Sequence, residues 1–240
     1  IFFNDDAEDE LDEIIAKAKN DFFKDYMPPR SYPDARILEE PDYNYIEEQL
    51  KYLRNMPQPA QRTNEWYQFR HNLITASNAY KAFESQSTVN QLIYEKCQPL
   101  KMNDDKFSMV NVNSTFHWGQ KYEPLSVQIY EHIYNTKVED FGCIQHNTYK
   151  FLGASPDGIN VDQNSNLYGR MLEIKNIVNR EINGIPKEEY WIQTQIQMET
   201  CNLDKCDFIE TRIMEYPTEA EFYSDTTSEY KGIILHFMPR

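Results

Sequence analysis

The stretch Gly153-Ala154-Ser155-Pro156-Asp157-Gly158, with Leu172-Glu173-Ile174-Lys175 following so that Glu173 lies sixteen positions after Asp157, decides how the rest of the chain is read. Apolar residues flank both pieces: Phe151, Leu152, Ile159 and Val161 around the first, Leu172, Ile174 and Ile177 around the second. The charges therefore fall inside strands that read as buried, where an unpaired charge is costly. Alternate side chains of a strand share a face, so Glu173 and Lys175 project together while Ile174 points into the core. Two carboxylates converging from neighbouring strands can hold a hard divalent cation through oxygen, and the Ile174 carbonyl can add another oxygen ligand. A lysine beside that cation can hydrogen-bond the water or hydroxide that attacks phosphorus, which implies phosphodiester hydrolysis. Taken singly, each piece also has a plainer reading. An Asp in Pro-Asp-Gly is commonly a turn residue, and Glu-x-Lys is commonly a solvated edge with a cross-strand ion pair.

Working outward, the period of the apolar residues predicts strands over 138–146, 151–161 and 167–176, joined by turns rich in Asn, Asp and Gly. A helix is predicted over 188–200, and further strands over 207–214 and 232–237. On the amino-terminal side, short helices are predicted over 64–71, 75–84 and 89–97. A longer one is predicted over 119–134, with Pro124 near its first turn and Glu123 at its start. Before these, 5–24 reads as an amphipathic helix, a Pro-marked stretch leads to a second helical segment at 45–54, and Met56-Pro57-Gln58-Pro59 reads as a linker. The chain thus divides into an acidic, mainly helical segment with its linker over 1–60 and a catalytic domain over 61–240. The expected fold class is α/β, a central mixed sheet flanked by helices with a helical amino-terminal extension.

The 240 residues are enough for one sizeable core, and no apolar run approaches the roughly 20 residues of a membrane helix. The start, Ile1-Phe2-Phe3 before Asn4-Asp5-Asp6, has neither an initiator Met nor the basic-then-apolar order of a secretory signal, and reads as trimmed from a longer chain. Cys97, Cys143, Cys201 and Cys206 lack the density of a disulfide framework. An intracellular, reducing compartment is expected rather than secretion. Ordinary thiols are expected rather than a structural metal or an iron–sulfur cluster. The net charge of −15 counts against a nucleic-acid partner, yet residues 1–60 hold 15 acidic and 7 basic residues and so more than half of that excess. The five histidines form no HxxxH pair, and seven glycines leave little material for a phosphate-binding loop. Trp66, Tyr67, Phe69, Tyr80 and Phe83 form an aromatic cluster that reads more readily as core than as a base-stacking platform.

Five blocks in order resemble the lambda-exonuclease-like branch of the PD-(D/E)XK superfamily, which includes the YqaJ-type viral recombinase nucleases. Trp66-x-x-x-Arg70 with Ile74-Thr75-Ala76-Ser77 resembles the amino-terminal motif, and Gly119-Gln120-Lys121-Tyr122-Glu123 the helix that carries an acidic residue. Ser155-Pro156-Asp157-Gly158 and Glu173-Ile174-Lys175 resemble the metal core, and Tyr190-x-x-Gln193-x-Gln195 the closing helix. The resemblance implies a restriction-endonuclease-like core and an enzyme that uses Mg²⁺ or Mn²⁺ to hydrolyse DNA, as a 5′-to-3′ exonuclease on double-stranded ends. It implies that Asp157, Glu173 and the Ile174 carbonyl bind metal, that Glu123 supports a second metal or a metal-bound water, and that Lys175 and Gln193 orient the nucleophile. Arg70 and Ser77 would bind a terminal 5′-phosphate, a role suited to a guanidinium fork and a hydroxyl near helix amides. An endonuclease with the same core, of the restriction or CRISPR-associated kind, and a non-catalytic DNA-binding module with this fold are the rival readings. If the chain is viral, host cytoplasm or virion is its expected place. A homo-oligomer and a single-strand annealing protein are partners that the resemblance leaves open. Two departures stand out: the turn between the two halves of the metal core is longer than in the shortest relatives, and Asn176 follows Lys175 where Cys-Pro is common.

Overall fold

The computed structural model describes residues 42–61, 63–100 and 115–233, together with six helical positions between 13 and 21. The helix expected over 5–24 lies mostly outside the described residues, as do the Pro-marked stretch before residue 42 and most of the strand expected over 232–237. Asp42 caps α1 (Tyr43–Arg54) by accepting from the amides of Asn44 and Tyr45, each at 3.1 Å. Thr63 caps α2 (Asn64–His71) in the same way, accepting from Trp66 N at 3.2 Å. The chain then enters the short strand β1 (Ile74–Thr75), the single turn α3 (Ala76–Ala79), a 3-10 turn at Tyr80–Phe83 and α4 (Gln86–Cys97). The helix predicted over 75–84 is thus a strand end and two tight turns.

The longest helix, α5 (Thr115–Tyr134), begins before the predicted start at 119. Trp118 accounts for part of the difference, because its ring meets that of Tyr122 one turn on, 4.7 Å away. Pro124 is consequently interior, and Glu123 lies in the third turn rather than at the start.

Among the described residues, seven short strands carry the centre. β2 (Val138–Glu139) and β3 (Ile144–Gln145) are separated by a turn at Gly142, whose φ of 69° suits glycine and whose amide donates to Asp140 Oδ1 at 2.7 Å. β4 (Leu152–Ala154) and β5 (Gly158–Asn160) are separated by Ser155-Pro156-Asp157, since a proline cannot donate to a ladder. Each of the two strands predicted over 138–146 and 151–161 is therefore a broken pair. β6 (Met171–Asn176), α6 (Glu188–Cys201), β7 (Cys206–Thr211) and α7 (Glu219–Ser224) complete the order. The sheets run β1-β4-β3 and β2-β5-β6-β7. Both are mixed: β1 and β4 are parallel, as are β6 and β7, while the other pairings are antiparallel. The architecture is the mixed α/β arrangement with flanking helices that the sequence predicts.

The strand β6 sorts its neighbours by face. Met171 joins a core with Leu50 and Leu53 of α1, Ile144, Ile159, Cys201 and Leu203, whereas Leu172 and Ile174 join Tyr130, Leu167 and Val127 on the side of α5. Leu50 and Leu53 are fully buried, and burial of each contributes about 2 kcal/mol. Polar ties reinforce this packing: Gln49 Nε2 donates to Cys201 O at 2.8 Å, and Gln58 Nε2 to Phe141 O at 2.8 Å. Residues on both sides of position 60 thus build the same core. Among the described residues no helix is long and apolar enough to cross a membrane.

Candidate active site

Glu173 and Lys175 leave the same face of β6, the face that α6 covers, and Ile174 is buried on the other side with Leu172. Asp157 comes from the break between β4 and β5. Its amide donates to Leu172 O at 3.1 Å, and its Oδ2 accepts from the Ile174 amide at 2.6 Å, which fixes the carboxyl beside the middle of β6. The two halves of the sequence motif therefore meet through backbone hydrogen bonds.

Glu173 is the most enclosed charge of the group, with 1% of its surface exposed. Its Oε1 accepts from Lys175 Nζ at 2.5 Å and from Gln193 Nε2 at 2.7 Å, and its Oε2 from Gln197 Nε2 at 2.6 Å. Gln193 Oε1 in turn accepts from Lys175 Nζ at 3.1 Å, closing a three-membered ring of contacts. Gln193 and Gln197 stand one turn apart on α6, so a single helix face delivers both amides. Tyr190, one turn earlier, lays its ring 4.9 Å from Lys175 Nζ and stacks on Phe208 at 5.5 Å.

Burial raises the Asp157 pKa well above the usual carboxylate range, and the negative charges of Glu173 and Glu123 push it further. Burial on its own would lower the Lys175 pKa, but the adjoining Glu173 carboxylate outweighs it and the net shift is upward. Glu123 reaches the site from α5, whose residues Gly119, Glu123, Ser126 and Tyr130 share a face. Asn176 holds that face in place: its Nδ2 donates to Gly119 O at 3.0 Å, and its Oδ1 accepts from Ser126 at 2.7 Å and from Thr211 at 2.6 Å. Asn176 is therefore the clamp between α5 and the central strands.

Among the described residues no group of three or more His, Cys, Asp or Glu side chains is gathered closely enough to hold a metal ion as it stands. The donor chemistry nevertheless fits a hard divalent cation, which prefers carboxylate and carbonyl oxygens. Burial and the neighbouring Glu173 and Glu123 carboxylates raise the Asp157 pKa, and a divalent cation beside it would favour the ionised form.

Arg70 is brought to the same place from the far side. Its Nη1 donates to Ser155 Oγ at 2.7 Å, two residues from Asp157, while its guanidinium carbon lies 4.8 Å from the Trp66 ring centre. Ser77 is exposed in α3, just after the register pair Thr75 and Gly153 that aligns β1 with β4, and its hydroxyl lies 3.2 Å from that of Thr75. Lys96 stands behind Arg70, donating to His71 O at 3.2 Å. Its pKa is lowered by burial and by the Arg70 charge. Sequence reasoning gave no role to Ser155, Asn176, Tyr190 or Gln197. Of these, Ser155 and Tyr190 carried a signal as members of quoted motifs and Asn176 as a departure from the pattern, whereas Gln197 carried none.

A carboxylate at a strand break beside a second carboxylate and a lysine on one strand, roofed by an amide-bearing helix and approached by an arginine, defines a site of the PD-(D/E)XK pattern. Residues 65–204 match the model of the YqaJ-like viral recombinase domain, and the chain belongs to that family. It is similar to an uncharacterized protein of Acanthamoeba polyphaga mimivirus, with 31% identity over 217 residues, covering 84% of this chain and 38% of that protein. The chain therefore spans well under half the length of this curated relative. Among solved structures it is similar to an alkaline exonuclease (LHK-Exo) from Laribacter hongkongensis, with 27% identity, a TM-score of 0.47, and 62% of this chain and 74% of that chain covered. The complex of that enzyme with dAMP gives 27% identity, the same TM-score of 0.47, and coverage of 62% and 73%.

Proposed function

We propose that this domain is a DNA nuclease that hydrolyses phosphodiester bonds with Mg²⁺ or Mn²⁺, working 5′ to 3′ from double-stranded ends. The observation that carries the reading is the meeting of Asp157, Glu173, Lys175 and Gln193 around one buried carboxylate, with Arg70 hydrogen-bonded two residues away at Ser155. Membership of a viral recombinase family supports it. Asp157, Glu173 and the Ile174 carbonyl would hold the cation, with Glu123 beside Asp157. A bound divalent cation supplies Lewis acidity, lowering the pKa of water and offsetting charge that develops at phosphorus. Lys175 donates hydrogen bonds toward the nucleophile and stabilises negative charge in the transition state, and Gln193 fixes the position of the Lys175 ammonium. Arg70 and Ser77 receive the terminal 5′-phosphate, which sets the direction of attack.

The test is a cleavage assay with and without Mn²⁺ on three substrates: linear duplex DNA with 5′-phosphate ends, the same DNA with 5′-hydroxyl ends, and a closed circle. Metal-dependent loss of the phosphorylated linear substrate, slower loss of the hydroxyl form and an intact circle are expected. Cutting of the circle would make the enzyme an endonuclease. Binding of DNA without turnover in Mn²⁺ would reduce it to a binding module.

A further inference from the structure

Gln197 lies at the back of the site and plays no part in the reaction proposed above. It has no measurable exposure, and its amide nitrogen is held between two acceptors: Glu173 Oε2 at 2.6 Å and Ser155 O at 3.4 Å. The first acceptor fixes which end of the amide faces the carboxylate, because only the NH₂ end can donate. The carbonyl Oε1 is then left buried with no hydrogen-bond partner among the described residues. An unpaired buried acceptor is unfavourable, and an apolar side chain of similar size would remove that cost. The amide earns its place through Nε2 alone.

We infer that Gln197 is a positioning residue for the metal-binding carboxylate. Resting on the nuclease reading, the inference assigns to Gln197 the orientation of Glu173, so that Oε1 meets Lys175 and Gln193 while Oε2 is held from behind. Through Ser155 the same amide ties the carboxylate to the residue that Arg70 grips, and so couples the phosphate side of the site to the metal side. Ligands of a metal keep their geometry through such outer hydrogen bonds, and a carboxylate free to rotate binds its ion less tightly. Gln193 cannot substitute, since its Nε2 is committed to Oε1.

The test compares the wild-type chain with Gln197→Leu and Gln197→Met, which keep the bulk and remove the donor. Mn²⁺ binding is measured by calorimetry without DNA, melting temperature without metal, and kcat and KM on 5′-phosphorylated duplex DNA at one fixed Mn²⁺ concentration. Mn²⁺ affinity is expected to fall by about 10- to 100-fold. A fall in kcat with KM for DNA unchanged is expected alongside it, in variants that still unfold cooperatively near the wild-type temperature. Wild-type Mn²⁺ affinity in either folded variant overturns the inference, and so does failure of both to fold, which would make the residue purely structural. A wild-type chain that neither binds Mn²⁺ nor cuts DNA would instead remove the nuclease reading, and the inference with it.

Discussion

Two buried polar networks flank the central strands, and they are built on opposite terms. In the one beneath α5, Tyr130 donates to Asp207 Oδ2 at 2.7 Å, Asn160 Nδ2 donates to the Tyr130 hydroxyl at 3.1 Å and to Arg170 O at 2.8 Å, and Thr136 donates to Asn160 Oδ1 at 2.8 Å. Its single carboxylate, Asp207, is matched by Arg170 at 2.9 Å. In the one beneath α6, Lys175 lies against Glu173, the Glu173 and Glu123 charges act on Asp157, and burial holds the Asp157 pKa up. The first network has the composition of a fixed support, with every charge matched. The second gathers like charges at a buried place and shifts the protonation of Asp157, the mark of a candidate functional site.

The contrast can be broken most sharply at Lys175. Lys175→Ala is expected to reduce kcat for metal-dependent DNA cleavage by about a hundred- to a thousandfold while far-ultraviolet circular dichroism remains unchanged. Full activity in the folded variant would refute the assignment of the α6 side as the reactive one. A smaller effect is expected on the α5 side, in stability rather than rate. Asp207→Ala leaves Arg170 and the Tyr130 hydroxyl without their shared acceptor, at a cost of about 2 kcal/mol. For a chain of this size that cost lowers the melting temperature by about 5 °C. An unchanged melting temperature would show that this network supports nothing.

The smallest effect has the opposite sign and sharpens the distinction. The folded-state pKa of Asp157 lies above its unfolded value, so the stability linked to this group is complete below the unfolded value and is lost as pH rises through the folded one. Asp157→Asn keeps an acceptor for the Ile174 amide and removes the charge. The metal-free variant is therefore expected to melt a few degrees above wild type at neutral pH, with the two curves converging toward pH 4. Thermal scans across that range check it, and a variant less stable than wild type at neutral pH would contradict the raised pKa of Asp157.

Much of this was legible in the sequence because it is written in short periods. Alternation over Leu172-Glu173-Ile174-Lys175 is enough to place Glu173 and Lys175 together and Ile174 opposite, and the structure shows that division of faces. The order of helices and strands followed from the change of period along the chain. What escaped notice depends on contacts between distant segments. Nothing local in 138–146 shows that Gly142 must bend under the Gln58 side chain, whose Oε1 accepts from Cys143 N at 2.7 Å. The amphipathic pattern of 45–54 reveals an apolar face but not the neighbour it covers, so its share in the core with Met171 and Leu203 was invisible. Asn176 reads as a strand-ending residue until α5 is laid across it. Gln197 looks like any polar position on a solvated helix until Glu173 is found beneath it.

The parallel partnership of β6 with β7 also bears on when the protein becomes competent during synthesis. The strand bearing Glu173 and Lys175 leaves the ribosome before α6, which supplies its amides, and before β7, which closes its open edge. Arg70, 85 positions ahead of Ser155, has by then long been made and has nothing to grip until that turn is in place. A nascent chain therefore cannot complete the β6–β7 ladder until residue 211 has emerged, and Gln193 reaches Glu173 only once α6 has been made.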